Sequence, residues 1–266
     1  MMWGIGGYRF DIERHDELVA GEMPLSAYTA AMGAPHEAPR SFDPRAFSPV
    51  RNQSSEGSCQ GHSITAALGL CHYAKTGTWK DFNPDHAYYR SQALDGLRGD
   101  VGSTIAGGMR YANTIGGLPQ DEGPAYTPKY NPGDYPQSLD VKCQPYRIYS
   151  YTTLRTYDDI VKWIGNGFGG VSWGIRWGLE PDSKGDIRRY RSGSGGHATA
   201  LLGYGDDFLW LKNSWGTTWG LSGWARIYRE AIEGALRDSY TVVVGISDMA
   251  EVKPRDIDWV KESINA

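Results

Sequence analysis

Cysteine is scarce: three residues, Cys59, Cys71 and Cys143, in a chain of 266. An odd count leaves at least one thiol unpaired within the chain, which excludes a disulfide scaffold and fits a reducing compartment. A single Cys71–Cys143 bridge has room to form, but two free, buried thiols are the expectation. Long hydrophobic runs are also missing. No stretch reaches the ~18 apolar residues that a membrane helix needs, so no membrane partner is expected. The opening Met1-Met-Trp-Gly-Ile-Gly-Gly-Tyr-Arg-Phe10 soon meets Asp11, Glu13 and Arg14 and does not read as a Sec signal, so a cytoplasmic location is the default, with export by another route left open. Nor is there an excess of positive charge. With 27 Lys and Arg against 31 Asp and Glu the net charge is -4, which argues against nucleic acid as a partner. No internal repeat is present.

What the chain does have is aromatic and glycine content. Ten Trp, seventeen Tyr and 35 Gly suggest loop-rich β structure plugged by rings. With 40% hydrophobic and 22% charged residues the composition is that of a folded globular protein.

Residues 1–40 read as an N-terminal extension ahead of a main domain over 41–266. Within it, Pro24 to Gly33 has Leu25, Tyr28 and Met32 on one helical face and Gly33 as a stop. The Pro-rich run Ala34 to Arg40 reads as an extended linker. From Cys59 the spacing of Ile64, Ala67, Leu68 and Cys71 predicts a helix closed by Gly77. Further helices are predicted over 84–96, 103–114 and 157–165, and mostly loop over 116–145. Ala198 to Tyr204 and Phe208 to Lys212 read as a hairpin across Gly205-Asp-Asp, and Trp224 to Tyr228 as another strand. Helices come first and strands second, which predicts an α+β protein with a helical lobe over about 50–145 and a β lobe over about 146–245.

Four residues carry chemistry. Cys59 stands at a helix start, where the dipole and free N–H groups favour the thiolate. His197 opens an apolar strand after Ser192-Gly-Ser-Gly-Gly196, where glycines let a substrate approach the ring. Asn213 is expected to accept the imidazole Nδ1–H through its side-chain carbonyl, fixing tautomer and orientation without adding a buried charge. Trp215 and Trp219 are placed to screen that bond from water. Gln53 is expected to donate its amide to a developing oxyanion, with the Cys59 backbone N–H as second donor. Thiol, imidazole and two amides form a working set for attack on an acyl carbon, and they need no metal or organic cofactor.

In these motifs the chain resembles the papain-type cysteine peptidases. Gln53-Ser-Ser-Glu-Gly-Ser-Cys59, Gly-Gly-His197-Ala198 and Asn213-Ser-Trp-Gly-Thr-Thr-Trp-Gly220 carry the resemblance, which runs from about Ser41 to Arg229. His197 and Asn213 follow Cys59 at or just beyond the separation of about 130–150 residues that the family shows. The resemblance implies a papain-like two-lobed fold, with the nucleophile helix in one lobe, the His–Asn pair on a β-barrel-like second lobe, and a polypeptide substrate across the cleft. Gly57, Ser58, Ala198 and Trp215 would then line the substrate site, and Gly102-Ser103 would pair with the substrate backbone.

The resemblance has departures. Glu56 stands where the family usually has a cysteine, so the associated disulfide cannot form. Gln60 and His62 stand where the family has aromatics. These look like bacterial or phage members and suit a reducing compartment. His62 reads as a packed core histidine, and a zinc site built on Cys59, His62, Cys71 and His72 is rejected because those positions cannot converge tetrahedrally. The implied activity is that of a cysteine endopeptidase. A thiol-dependent acyl transferase or deamidase, or a non-catalytic binding module, stands beside it as an alternative.

Overall fold

Every helix of the main domain before residue 145 belongs to one lobe, and all seven strands among the described residues lie after it, as the pattern predicts. The computed structural model describes residues 7–31 and 39–247. Its helices are α1 (Ile12–Ala20), α2 (Leu25–Ala31), α3 (Cys59–Thr76), α4 (Pro84–Leu94), α5 (Ile105–Arg110), α6 (Asp140–Cys143), α7 (Tyr157–Gly165) and α8 (Arg229–Leu236). Its strands are β1 (Ser150–Thr153), β2 (Val171–Arg176), β3 (Asp186–Ile187), β4 (Gly196–Tyr204), β5 (Phe208–Lys212), β6 (Trp224–Tyr228) and β7 (Val242–Ser247), in the sheet order β1-β7-β2-β4-β5-β6-β3. Neighbouring strands pair antiparallel except β3 with β6, which are parallel.

The central helix α3 joins the two lobes. Its predicted stripe of Ile64, Ala67, Leu68 and Cys71 packs into the core of the helical side, while Ala66 and Leu70 face the tryptophan-rich core of the sheet. Residues from Cys59 to Cys71 are buried apart from His62, and the polar Gln60, Ser63 and Thr65 among them are hydrogen-bonded, as burial on both sides of a helix requires. Gly77 takes the left-handed conformation (φ 72°) and returns its N–H to the Tyr73 carbonyl, ending the helix where expected. The β4–β5 hairpin, with Tyr204 opposite Leu209 beside the turn and Ala200 opposite Lys212, brings His197 near the start of β4 and Asn213 just after β5 to the same open end.

One expectation shifts. The helix predicted over 103–114 is α-helical only to Arg110 and then widens into a π-turn over Tyr111–Ile115, which turns the Tyr111 hydroxyl onto His86 Nδ1 at 3.0 Å. The three cysteines are buried and none is in a disulfide, so Cys71 and Cys143 are unbridged, as expected.

The N-terminal arm is more structured than its sequence advertises. Asp11 caps α1 through a bond from the Arg14 amide, and α1 lies on α5 with Leu18 buried. The chain then crosses to the sheet, where the Met23 amide donates to the Tyr151 carbonyl and Glu22 accepts from the Thr153 amide. Leu25 and Tyr28 face the core as predicted, while Met32, Gly33 and most of the 34–40 linker lie outside the described residues. Tyr28 is fully buried, its ring 4.6 Å from Trp163 and 5.3 Å from Phe168. Truncating a buried aromatic costs about 3 kcal/mol or more. Tyr28→Ala is therefore expected to undock this part of the arm, speeding hydrogen exchange at the Met23 amide by roughly a hundredfold.

Candidate active site

Cys59 is the first residue of α3, at the boundary between the two cores. Its sulfur meets the backbone amide of Ala198, the residue after His197 on β4, so helix start and strand start converge on one point. His197 is fully buried. Its Nε2 lies 2.8 Å from Asn213 Oδ1, and the same oxygen accepts the Ser214 amide at 2.8 Å. That second donor fixes which end of the Asn213 amide faces the ring, so the proton sits on Nε2. The expected bond is therefore made through the other nitrogen. Asn213 takes the proton of Nε2, not Nδ1, and Nδ1 is left buried with no partner among the described residues. A neutral ring held this way presents a lone pair at Nδ1.

Aromatic rings fix the imidazole. Trp215 stacks on it at 4.5 Å and 29°, and Trp177 meets it edge-on at 4.8 Å. Trp219 stands behind Trp215, at 6.0 Å. Of the two tryptophans predicted to screen the bond, Trp215 touches the ring directly. Trp177, one residue past the end of β2, is the second wall.

Gln53 is fully buried beside this group. Its Oε1 accepts from the Ser214 hydroxyl at 2.6 Å and its Nε2 donates to the Glu56 carbonyl at 2.7 Å. One of the two amide hydrogens is thus committed to the loop. Gly57 donates its N–H to Asp100 at 2.8 Å, Ser58 precedes the helix without a side-chain cap bond, and Gly102 donates its N–H to the Tyr88 hydroxyl at 3.0 Å.

The segment 7–9 of the same chain fills the cleft. The Ser103 amide donates to the Gly7 carbonyl at 2.9 Å, the Arg9 amide donates to the Ser103 carbonyl at 3.0 Å, and Tyr8 forms a parallel bridge with Ser103. The backbone strip expected to pair with substrate is paired with the protein's own N-terminal segment. Gly7 is required here: an added Cβ would lie 2.9 Å from Cys59 Sγ and nearer still to the Gly57 carbonyl. The Tyr8 ring enters a pocket beside the thiol, near Ile105 and Ala198, and its hydroxyl donates to the Tyr240 carbonyl at 3.0 Å. Gly174 makes room for it, since a Cβ there would come within 2.6 Å of the ring.

This cover sets the electrostatics. Burial pushes the Cys59 thiol up to about 12, against the pull of the Ala198, Gln60 and Cys59 backbone amides. Burial also lowers His197 to about 4, partly offset by its bond to Asn213. The helix-terminus effect expected to favour a thiolate is present but loses to desolvation. Covered, the pair is a neutral thiol and a neutral imidazole.

The model of the family described as "Papain family cysteine protease" matches residues 38–243. Cysteine proteinase 15A of Pisum sativum is 27% identical over 78% of this chain and 62% of its own length. Papain of Carica papaya is 27% identical over 69% of this chain and 52% of its own length. The chain thus spans between half and two thirds of these relatives. Among solved structures, xylellain, a cysteine protease from Xylella fastidiosa, superposes with a TM-score of 0.66 at 20% identity, covering 94% of this chain and 98% of that one. The cysteine protease CMS1MS2 of Carica candamarcensis, solved in complex with E-64, gives a TM-score of 0.58 at 22% identity over 82% of this chain and 100% of that one. These likenesses establish the two-lobed α+β fold, and with the match over 38–243 the chain belongs to the papain family of cysteine proteases.

Proposed function

We propose that this chain is a cysteine endopeptidase whose catalytic set is Cys59, His197, Asn213 and Gln53. One observation carries the reading: Asn213 locks the imidazole through Nε2, leaving Nδ1 without a partner one residue from the amide that contacts the thiol. With the cleft open, Nδ1 takes the thiol proton. The thiolate attacks the substrate carbonyl, and the imidazolium returns its proton to the leaving amine. The same ring then activates water, which releases the acyl group. The free hydrogen of Gln53 Nε2 and the Cys59 N–H stabilise the oxyanion, each worth about 3 kcal/mol in the transition state. Gly57, Ser58, Gly102 and Ser103 bind the substrate backbone, and Ala198 and Trp215 line the site. The pocket that now holds the Tyr8 ring receives an aromatic substrate side chain.

Residues 1–40 act in this reading as a self-inhibiting arm. The Gly7 carbonyl is turned to the Ser103 amide rather than to Gln53, so the strap lies against the nucleophile without presenting a bond for cleavage. Three cysteines outside any disulfide accord with a reducing, cytoplasmic setting.

The test is product mass from a peptide library. Hydrolysis yields two fragments whose masses sum to the substrate plus one water; acyl transfer to an amine, whose products carry no added water, or side-chain deamidation, which leaves the backbone uncut, would overturn the reading. Asn213→Ala is expected to lower kcat by roughly a hundredfold with little change in KM, because the ring loses its brace while the nucleophile remains. Steady-state kinetics of that variant check it.

A further inference from the structure

The loop that delivers Gln53 to the site also buries a carboxylate. Glu56, 2% exposed, lies across from Asp85, fully buried in the first turn of α4. Glu56 Oε1 accepts from the Tyr89 hydroxyl at 2.9 Å, and Asp85 Oδ2 accepts from the Tyr135 hydroxyl at 3.2 Å and faces the Thr127 amide at 3.5 Å. Each carboxyl keeps one buried oxygen with no donor in hydrogen-bond geometry among the described residues, the Ser58 side chain lying close to Glu56. The two side chains are within hydrogen-bonding reach of each other.

A hydrogen bond between two carboxyls requires a proton on one of them, since two carboxylates offer only acceptors. The surroundings supply no charge that could replace it. The titratable groups around the pair are tyrosines: Tyr89 and Tyr88 on α4, with Tyr126, Tyr130 and Tyr135 from the loop after the π-turn. Asp100 adds a further negative group. Arg51, whose charge reaches Tyr126, pairs with Asp81 and lies 5.6 Å from the Tyr126 ring centre. His62 meets the hydroxyl of Tyr126 at 3.1 Å, and burial holds it well below the ordinary imidazole range.

We propose that Glu56 and Asp85 share a single proton and act as a positioning latch, pinning the Gln53 loop to α4. Glu56 is linked to Gln53 twice: its carbonyl accepts the Gln53 side-chain amide at 2.7 Å and its N–H donates to the Gln53 carbonyl at 3.1 Å. The latch holds the amide orientation in acid and loosens once the shared proton leaves and two buried carboxylates repel. Burial raises both carboxyls above the ordinary carboxylate range, with Asp85 carried to about 7 by burial and then by the neighbouring Glu56. A carboxyl raised on folding binds a proton that the unfolded chain has released. Its contribution to stability is therefore complete below the unfolded value near 4 and declines up to about 7, then stays flat.

The deciding measurement is chemical unfolding of the full-length chain from pH 4 to 9, with Asp85→Asn and Glu56→Gln beside it. An amide carries its own donor and replaces the shared proton permanently. The expected result is that each variant gains on the unmodified chain by up to tenfold in folding constant per pH unit across this window. Parallel curves for all three proteins overturn the proposal. If neither variant folds, carboxyl-carbon NMR titration of the unmodified chain decides. One carboxyl retaining its proton to near neutrality supports the latch, and both titrating in the ordinary range removes it. These arms need no turnover and so stand apart from the peptidase reading. The effect on rate rests on that reading: in an active chain, Asp85→Asn is expected to extend the alkaline side of the kcat–pH profile, and an unmoved profile removes the positioning role.

Discussion

Gly7→Val frees the nucleophile. The valine side chain cannot coexist with the Gly57 carbonyl and the Cys59 sulfur, so the strap must leave the cleft while the rest of the arm stays anchored through α1 and α2. Water then reaches a thiol that burial had pushed up to about 12 and an imidazole that burial had lowered to about 4. Removing the common cause moves both back, the thiol down and the ring up, until the proton passes from sulfur to Nδ1. At neutral pH the thiolate fraction rises from a trace to a substantial share, so iodoacetamide should label Cys59 at least about a hundredfold faster than in the unmodified chain. Unchanged labelling would show that the strap does not control the thiol.

Linkage gives the strap a pH dependence whose sign can be worked out. In the closed form neither group is charged between about 4 and 12. An open thiolate–imidazolium pair binds the same number of protons as the closed neutral pair, so opening is insensitive to pH while that ion pair persists. Below the open thiol's pKa the open form gains a proton, and above the open imidazolium's pKa it loses one. Opening is therefore favoured at both extremes, and labelling corrected for thiolate fraction should trace a shallow U.

Cys59→Ala is expected to abolish hydrolysis, by roughly a million-fold in kcat when measured in the Gly7→Val background, because no neighbouring side chain replaces the sulfur as nucleophile. The fold should survive, since one small buried side chain replaces another at a helix start. Peptide hydrolysis at an undiminished rate in this variant would falsify the assignment of Cys59.

Much of this was legible in the chain, and the rest fails for identifiable reasons. Cys59, His197, Asn213 and Gln53 stand out because chemistry demands specific atoms in fixed local contexts. The β4–β5 hairpin and the end of α3 follow from turn residues whose backbone requirements are strict. Which imidazole nitrogen meets Asn213 depends on how β4 and the segment after β5 face each other, a tertiary relation with no local signature. The segment Gly7-Tyr-Arg9 hides for a similar reason. It has no periodicity, and its partners Ser103, Gly174 and Tyr240 are remote in sequence. The Glu56–Asp85 contact could be read only in part: the absence of the family's usual cysteine at 56 was visible, but what stands opposite it was not.

The strap sits directly before the capped first turn of α1, with almost no free chain between the Cys59 contact and the anchor on α5. So short a tether delivers the occluding residues at an effective concentration on the order of millimolar or above, whatever the amount of protein in solution. Dilution cannot relieve the block, and a loose peptide of the same few residues could not reproduce it. The practical control point is then the anchor: whatever lifts α1 off α5, where Glu17 approaches Arg110, turns a fixed internal dose of competitor into a weak one.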